Sequence, residues 1–332
     1  MFVKSEHDGT EIEEVFEEGL RPRQWGDYVG QESIKQNLSV MIEAAKKRAE
    51  PIDHVLFYGS SGLGKTTLAH VIAHELGSHI TTCTGPTLER VGDLAAILTN
   101  LEEGDVLFID ECHRLKKPIM ETLYSAMEDF SLHLISGKGA LAHTMDLDLP
   151  KFSLIGATTS PASLPSPMRN RFGAIFQFQF YLQHEMEQII RRSASLMGVS
   201  VTPEALSLIA SRSRATPRVA NRLLRRARDF ASIENNGLVS PEVALRTCDS
   251  LGIDHHGLEA GDRGLLEILI TKFQGGPVGL ETLAAALSEE SETILDIYEP
   301  YLLQLGFLER TPRGRIATHR AYHHLGKSRG LV

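Results

Sequence analysis

Between Asp53 and about Phe180, short runs of consecutive apolar residues alternate with stretches of helical periodicity. This rhythm predicts a parallel sheet covered by helices, since strands buried on both faces read as unbroken apolar runs. The predicted strands are 54–58, 79–83, 106–110, 152–158 and 174–178. From Gln183 to about Ser250 the pattern is helical alone, with Met186, Ile189, Ile190 and Ser193 on one face and Leu206, Leu208 and Ile209 on another. A polar stretch at 252–257 reads as a linker. Beyond it, helical patterns at 263–273, 279–287 and 292–305 lead into an Arg-rich hairpin candidate. The fold class expected is α/β: a parallel-sheet nucleotide-binding domain over 19–181, an all-helical lid domain over 182–254 and a C-terminal winged helix over 255–332. Residues 1–18 are acidic and are expected to form a loosely ordered tail.

A chain of 332 residues with 42% apolar content is too long for one core and rich enough for several. The formal net charge of −9 argues against a protein that coats nucleic acid indiscriminately, so any DNA contact must come from a local basic patch. One such patch exists. After residue 300, six cations (Arg310, Arg313, Arg315, Arg320, Lys327 and Arg329) face a single acid, Glu309. The three cysteines, Cys83, Cys112 and Cys248, are odd in number and widely spaced, which indicates neither a disulfide framework nor a zinc site. A reducing cytoplasm is the setting they suggest, and no apolar run is long enough for a membrane span. The histidines, including the pairs His255-His256 and His323-His324, read as linker and surface residues rather than metal ligands.

The most specific chemistry lies in Gly59-Ser60-Ser61-Gly62-Leu63-Gly64-Lys65-Thr66, which satisfies G-x-x-x-x-G-K-[ST] at every fixed position, directly after an apolar strand. Glycines there let successive backbone N–H groups point at phosphate oxygens. Lys65 adds a point charge against the outer phosphates, and Thr66 offers a hydroxyl to magnesium. Downstream, Val106-Leu107-Phe108-Ile109 ends in Asp110 and Glu111. Asp110 is placed to hold magnesium and Glu111 to polarise the water that attacks the terminal phosphate, so the pairing points to hydrolysis. The same residues continue into Cys112-His113, the D-E-x-H spelling of a different helicase class. That class needs a second sheet domain with its own arginine motif, and the remaining pattern looks largely helical.

Thr158 and Thr159 end a further strand, where a hydroxyl could orient the attacking water. Arg169 and Arg171 lie past all the phosphate-binding elements, a place suited to an arginine that reaches a neighbouring subunit's triphosphate; surface salt bridging is the ordinary alternative. Thr216-Pro217-Arg218 starts a helix with an N-cap candidate and a first-turn proline, which could aim Arg218 from the helical domain toward the nucleotide; a solvated first-turn arginine is the equal alternative. Arg310-Thr311-Pro312-Arg313-Gly314-Arg315 reads as a basic wing, a footprint for phosphate backbones. Between Leu132 and Leu149, period-two alternation on both sides of the Gly-rich 137–142 predicts a hairpin with an apolar tip.

Together with Leu20-Arg21-Pro22, Tyr28-Val29-Gly30-Gln31, Gly92-Asp93-Leu94, Ala126-Met127-Glu128-Asp129-Phe130 and Tyr298-Glu299-Pro300-Tyr301, these motifs resemble the RuvB family, the bacterial Holliday-junction branch-migration motors of the AAA+ class. The resemblance covers nearly the whole chain from about Leu20. It implies ATP and Mg2+ as cofactors, a homo-oligomeric ring, expected to be a hexamer, duplex DNA and Holliday junctions as substrates, and no membrane. It implies nucleotide contacts from Leu20, Arg21, Gly62, Gly64, Lys65, Thr66, Thr67, Glu128, Asp129, Phe130, Tyr181 and Arg218. It implies Arg171 acting across the subunit interface, Arg310 and Arg315 on DNA, and docking of the 132–149 hairpin on the junction-binding partner RuvA. Two readings compete with it: an AAA+ ATPase of another class, and a nucleotide-gated binding protein that does not turn over. The chain departs from the family pattern at Ser60-Ser61, where Pro-Pro is usual, at Ser160, at Cys112 and at Ala140-Leu141-Ala142-His143.

Overall fold

The computed structural model describes residues 19–136 and 143–328. The acidic tail and the hairpin tip at 137–142 lie outside the described residues. Spatial proximity divides the chain into two compact units, one running to Gln179 without Ser60–Gly62, the other comprising Ser60–Gly62 and everything from Phe180 onward.

In the first unit, strands β1 (Val55–Tyr58), β2 (Ile80–Thr84), β3 (Val106–Asp110), β6 (Ser153–Thr158) and β7 (Ala174–Gln177) form a parallel sheet in the order β2-β3-β6-β1-β7. The three central strands are almost wholly buried while β2 and β7 alternate, as expected of a sheet covered on both faces with two edges. Each predicted strand is present within one residue at either end. β4 (Ser131–Ser136) and β5 (His143–Asp148) make the predicted antiparallel hairpin, with Leu132 opposite Leu147.

The core of this unit is strongly aromatic and aliphatic. Phe57, Phe108 and Phe152 are at most 1% exposed, each contributing about 1.5–3 kcal/mol by burial. His54 sits within it as a neutral ring. Its Nδ1 accepts from the Leu154 amide at 2.9 Å and its Nε2 donates to the Met127 carbonyl at 3.1 Å. Burial holds its pKa below the ordinary histidine value, outweighing that bond to Met127 and the charge of Asp53.

The second unit begins with the helices Gln183–Leu196, Pro203–Ser211, Pro217–Glu234 and Pro241–Ser250. Three of them open on proline preceded by a hydroxyl residue, and Thr202 and Ser240 cap through their side chains. Thr216 does not cap. Arg214 and Ala215 are both left-handed (φ 55° and 51°), and this turn directs the Thr216 hydroxyl back to the Ser213 carbonyl at 3.2 Å. The segment is also not helical throughout: β8 (Ser200–Val201) and β9 (Leu238–Val239) pair in parallel, too short to leave a period-two signature in the sequence.

The remainder packs the helices Ala260–Thr271, Leu280–Leu287, Glu299–Gln304 and His319–His324 around a core that includes Leu265, Leu269, Leu283 and Leu302. The antiparallel hairpin β10 (Leu308–Thr311) and β11 (Gly314–Ala317) places Arg310 opposite Arg315. A helix–helix–hairpin order of this kind is a winged helix, as the sequence predicts. Within the described residues, no helix is long and apolar enough to cross a membrane.

Candidate nucleotide site and DNA-binding wing

The phosphate loop leaves β1 and enters the helix Lys65–Leu76 through Gly64, whose φ of 91° no branched side chain tolerates. The first amides of that helix have no partner within it and point outward, a ready anion site. Lys65 is 7% exposed, and its ammonium donates to the Gly59 carbonyl at 2.7 Å, so the charge is folded under the loop. Tyr28, named only as part of the family resemblance, is buried and donates its hydroxyl to the Gly64 carbonyl at 3.3 Å. Thr67 and Arg21 are half-buried and Leu20 is buried.

β3 brings the acids to the loop. The Thr66 hydroxyl donates to Asp110 Oδ2 at 3.2 Å, while Asp110 Oδ1 accepts the Glu111 amide at 2.9 Å. A hydroxyl and a carboxylate converge at the foot of the phosphate-binding helix. Glu111 follows with φ 47°, an uncommon conformation for a residue with a side chain. Its carboxylate lies 3.4 Å from Arg114, and the pair is nearly half exposed.

Gly85, which the sequence reading passed over, holds this turn. A Cβ there would lie 2.4 Å from the Glu111 carbonyl oxygen. Gly85→Ala is therefore expected to push Glu111 out of place and to lower ATP turnover by about 10²-fold while leaving nucleotide affinity nearly unchanged, measured by steady-state hydrolysis beside equilibrium nucleotide binding.

Thr158 is 1% exposed, and its hydroxyl lies 2.9 Å from His113 Nδ1 while accepting the Ser160 amide at 3.0 Å. The candidate water-orienting threonine is thus tied to the turn after Glu111. Cys112, a departure from the family pattern, is a core residue whose thiol burial pushes up to about 12, so it stays protonated. Ser160 bonds Ser163 at 2.8 Å.

Arg171 turns to other partners. Its guanidinium bonds the Glu128 carboxylate at 2.6 Å and the Pro167 carbonyl at 3.0 Å and lies over the Tyr124 ring at 4.9 Å. Among the described residues, none of its bonds goes to its own loop, Asp110 or Glu111. Glu128, Asp129 and Phe130, which the sequence groups with the nucleotide contacts, close the helix bearing that partner, and Asp129 is exposed.

In the second unit, Arg218 donates to the Ser61 hydroxyl at 2.9 Å, and a Cβ on Gly62 (φ 81°) would lie 3.1 Å from Arg218 Cβ. Tyr181 is buried, its amide bonded to Ala215. On the wing, Arg310 and Arg315 both bond Glu299, a carboxylate with no exposure. Arg315 is 14% exposed and Arg310 49%. At the turn between them, Arg313 is exposed, and no bond to its guanidinium exists among the described residues.

Models of known families cover almost all of this chain. The RuvB P-loop domain matches residues 20–178, the RuvB AAA lid domain 181–254 and the RuvB C-terminal winged helix domain 255–326. The chain is 56% identical over 306 residues to the Holliday junction branch migration complex subunit RuvB of Dehalococcoides mccartyi (strain CBDB1), spanning 92% of this chain and 88% of that one. Among solved structures it is similar to the RuvB Holliday junction branch migration motor of Thermotoga maritima, with 49% identity, a TM-score of 0.86 and coverage of 93% of this chain and 99% of that one. A point mutant of that protein gives a TM-score of 0.87 at the same identity and coverage.

Proposed function

This chain belongs to the RuvB family, and on that premise we propose how its own residues drive branch migration of Holliday junctions with ATP. The loop amides and the Lys65 ammonium take the outer phosphates. The Thr66 hydroxyl and Asp110 carboxylate are hard oxygen donors that suit Mg2+, which would neutralise charge on the β- and γ-phosphate oxygens. Glu111 accepts a proton from the attacking water. The water oxygen bonds to the γ-phosphorus as the bond to the β-phosphate oxygen breaks, leaving ADP and phosphate. Thr158 and His113 act as positioning residues behind that water. The observation that carries this reading is the Thr66–Asp110 contact with Glu111 next in the chain.

Arg171 serves the nucleotide of the adjacent subunit, because Glu128 and Pro167 hold it on partners other than its own loop. A homohexameric ring follows naturally, with Arg218 reporting the loop's state to the helical lid domain over 182–254. The winged helix over 255–332 grips duplex DNA through Arg313 at the turn and the half-exposed Arg310. Arg315, held on buried Glu299, sets the shape of the hairpin. The 132–149 hairpin is the docking element for RuvA, and the three free thiols fit a cytoplasmic setting. A clamp-loader-like or protein-remodelling role is not favoured by the family assignment.

Subunit mixing tests this arrangement. Lys65→Ala and Arg171→Ala are each expected to hydrolyse almost no ATP alone. An equimolar mixture should regain roughly a quarter of wild-type activity, the share of interfaces that random closed-ring assembly supplies with an intact loop and an intact arginine. A mixture as inactive as its components would place Arg171 in its own subunit's site.

A further inference from the structure

Three histidines meet beside the winged-helix core. One ring nitrogen from each of His255, His256 and His324 lies within 4.8 Å of the others, although His324 is 68 residues from His256 in the chain. In the sequence these residues read as linker and surface.

The segment that presents them is built rather than loose. Asp254 Oδ1 accepts the amides of His256 and Leu258, both at 2.9 Å, and the Tyr301 hydroxyl donates to the His256 carbonyl at 2.7 Å. Asp254 Oδ2 accepts from His324 Nε2 at 2.9 Å and lies 3.9 Å from Arg263. With Nε2 donating in this bond, the neutral ring carries its lone pair on Nδ1. The His324 side chain is 5% exposed, yet its Nδ1 is buried and has no hydrogen-bond partner.

Ring stacking on Phe307 at 5.0 Å explains where the His324 ring lies, but not why its one remaining acceptor is left unpaired. A buried acceptor of that kind normally finds a partner. A carboxylate bonded to one nitrogen of an imidazole that meets two more imidazoles is the outer-shell pattern of metal-bound histidine.

We propose that His255, His256 and His324 form a binding site for a divalent transition-metal ion of the Zn2+, Co2+ or Ni2+ class, with Asp254 orienting His324 from behind. Three imidazoles and an open fourth position suit these ions and not Mg2+, which takes oxygen ligands. Nitrogens around a tetrahedral ion stand about 3.3 Å apart, given metal–nitrogen bonds of ~2.0 Å. The site therefore closes by up to about 1.5 Å on binding, and His255, which is exposed, has the freedom to make that movement. The Arg320 charge opposes a cation here, and the Asp254 carboxylate offsets it. The bound ion would staple the entry of the winged helix to its last helix, His319–His324.

The test uses the full-length protein, stripped with chelator and held in excess Mg2+, with His133→Gln introduced to remove the exposed His133–Asp146 pair as a competing site. Co2+ is titrated by its visible absorption, and Zn2+ by competition with a chromophoric chelator. The expected result is one equivalent per chain with the intense bands of four-coordinate Co2+, weakened at least 100-fold by His255→Gln with His256→Gln and, separately, by His324→Gln. Because His255 is exposed, His255→Gln alone serves as the variant that keeps the fold, and it should weaken binding at least 10-fold with an unchanged circular dichroism spectrum. Zn2+ binding equal in wild type and variants, or only weak six-coordinate Co2+ bands, would mean an adventitious ion only and overturn the proposal.

Discussion

Arg214→Met is expected to lower the stability of the second unit by about 3–5 kcal/mol, the usual cost of removing one member of a buried ion pair. Arg214 is 10% exposed and Asp262 not at all, and they bond at 2.5 Å. Arg214 also donates to the Ile297 carbonyl at 2.8 Å and lies over the Tyr301 ring at 5.0 Å. Its removal leaves a carboxylate in apolar surroundings with only the Glu259 amide, at 2.9 Å, to offset its charge. Asp262→Leu in the same chain should recover most of the loss, because two apolar groups need no partner. Urea unfolding followed by circular dichroism measures both. A loss below about 1 kcal/mol, or a double variant no better than the single one, would contradict this account.

The pH dependence of that loss has a definite sign. Burial raises the Asp262 pKa to about 6 even though Arg214 pulls it down. Between the ordinary aspartate value and about 6, the folded state holds a proton that the unfolded chain releases. This contribution is complete at low pH and is lost as pH rises through 6. Without Arg214 the folded pKa climbs further, so the loss continues to higher pH. The gap between wild type and Arg214→Met should therefore widen above pH 6 and narrow below it. His54 works in the opposite direction: its folded pKa is depressed, so its contribution is full above the ordinary histidine value and falls away in acid.

The second large effect is at Glu111. Glu111→Gln should lower kcat for ATP hydrolysis by about 10²–10⁴-fold, the range lost when a positioned general base is removed, with nucleotide affinity within about twofold. The amide keeps the size of the side chain and can adopt the same left-handed backbone, but it cannot accept the water's proton. Lys65, Thr66 and Asp110, which we propose meet the nucleotide and its metal, remain intact. Steady-state hydrolysis and equilibrium binding of a labelled nucleotide separate the two quantities. A kcat within threefold of wild type would remove Glu111 from proton transfer and support the non-hydrolytic competing reading of the sequence.

The sheet was readable because short apolar runs such as Val55–Phe57 and Val106–Ile109 recur between stretches of helical periodicity. The phosphate loop was readable because glycine and lysine at fixed spacing have few other uses. What the sequence hid are contacts between residues far apart in the chain. Arg310 and Arg315 read as DNA-binding charge, but buried Glu299 claims both, and nothing in a Tyr-Glu-Pro-Tyr segment signals its burial. Arg214 belongs to no motif, and its partner Asp262 lies 48 residues away in the chain. Gly85 gives no motif at all, since the demand for glycine comes from the Glu111 carbonyl across the sheet end. His324 reads as surface because its partners lie in the linker before the winged helix. Thr158 reads as a hydroxyl at a strand end, but its bond to His113 depends on the parallel register of β3 and β6.

The most direct test of the central claim is ATP-dependent dissociation of a synthetic four-way DNA junction by the purified protein together with RuvA, with Lys65→Ala as the control. The account predicts duplex products from the wild type and none from the control. ATP turnover by the wild type with the junction left intact would contradict it.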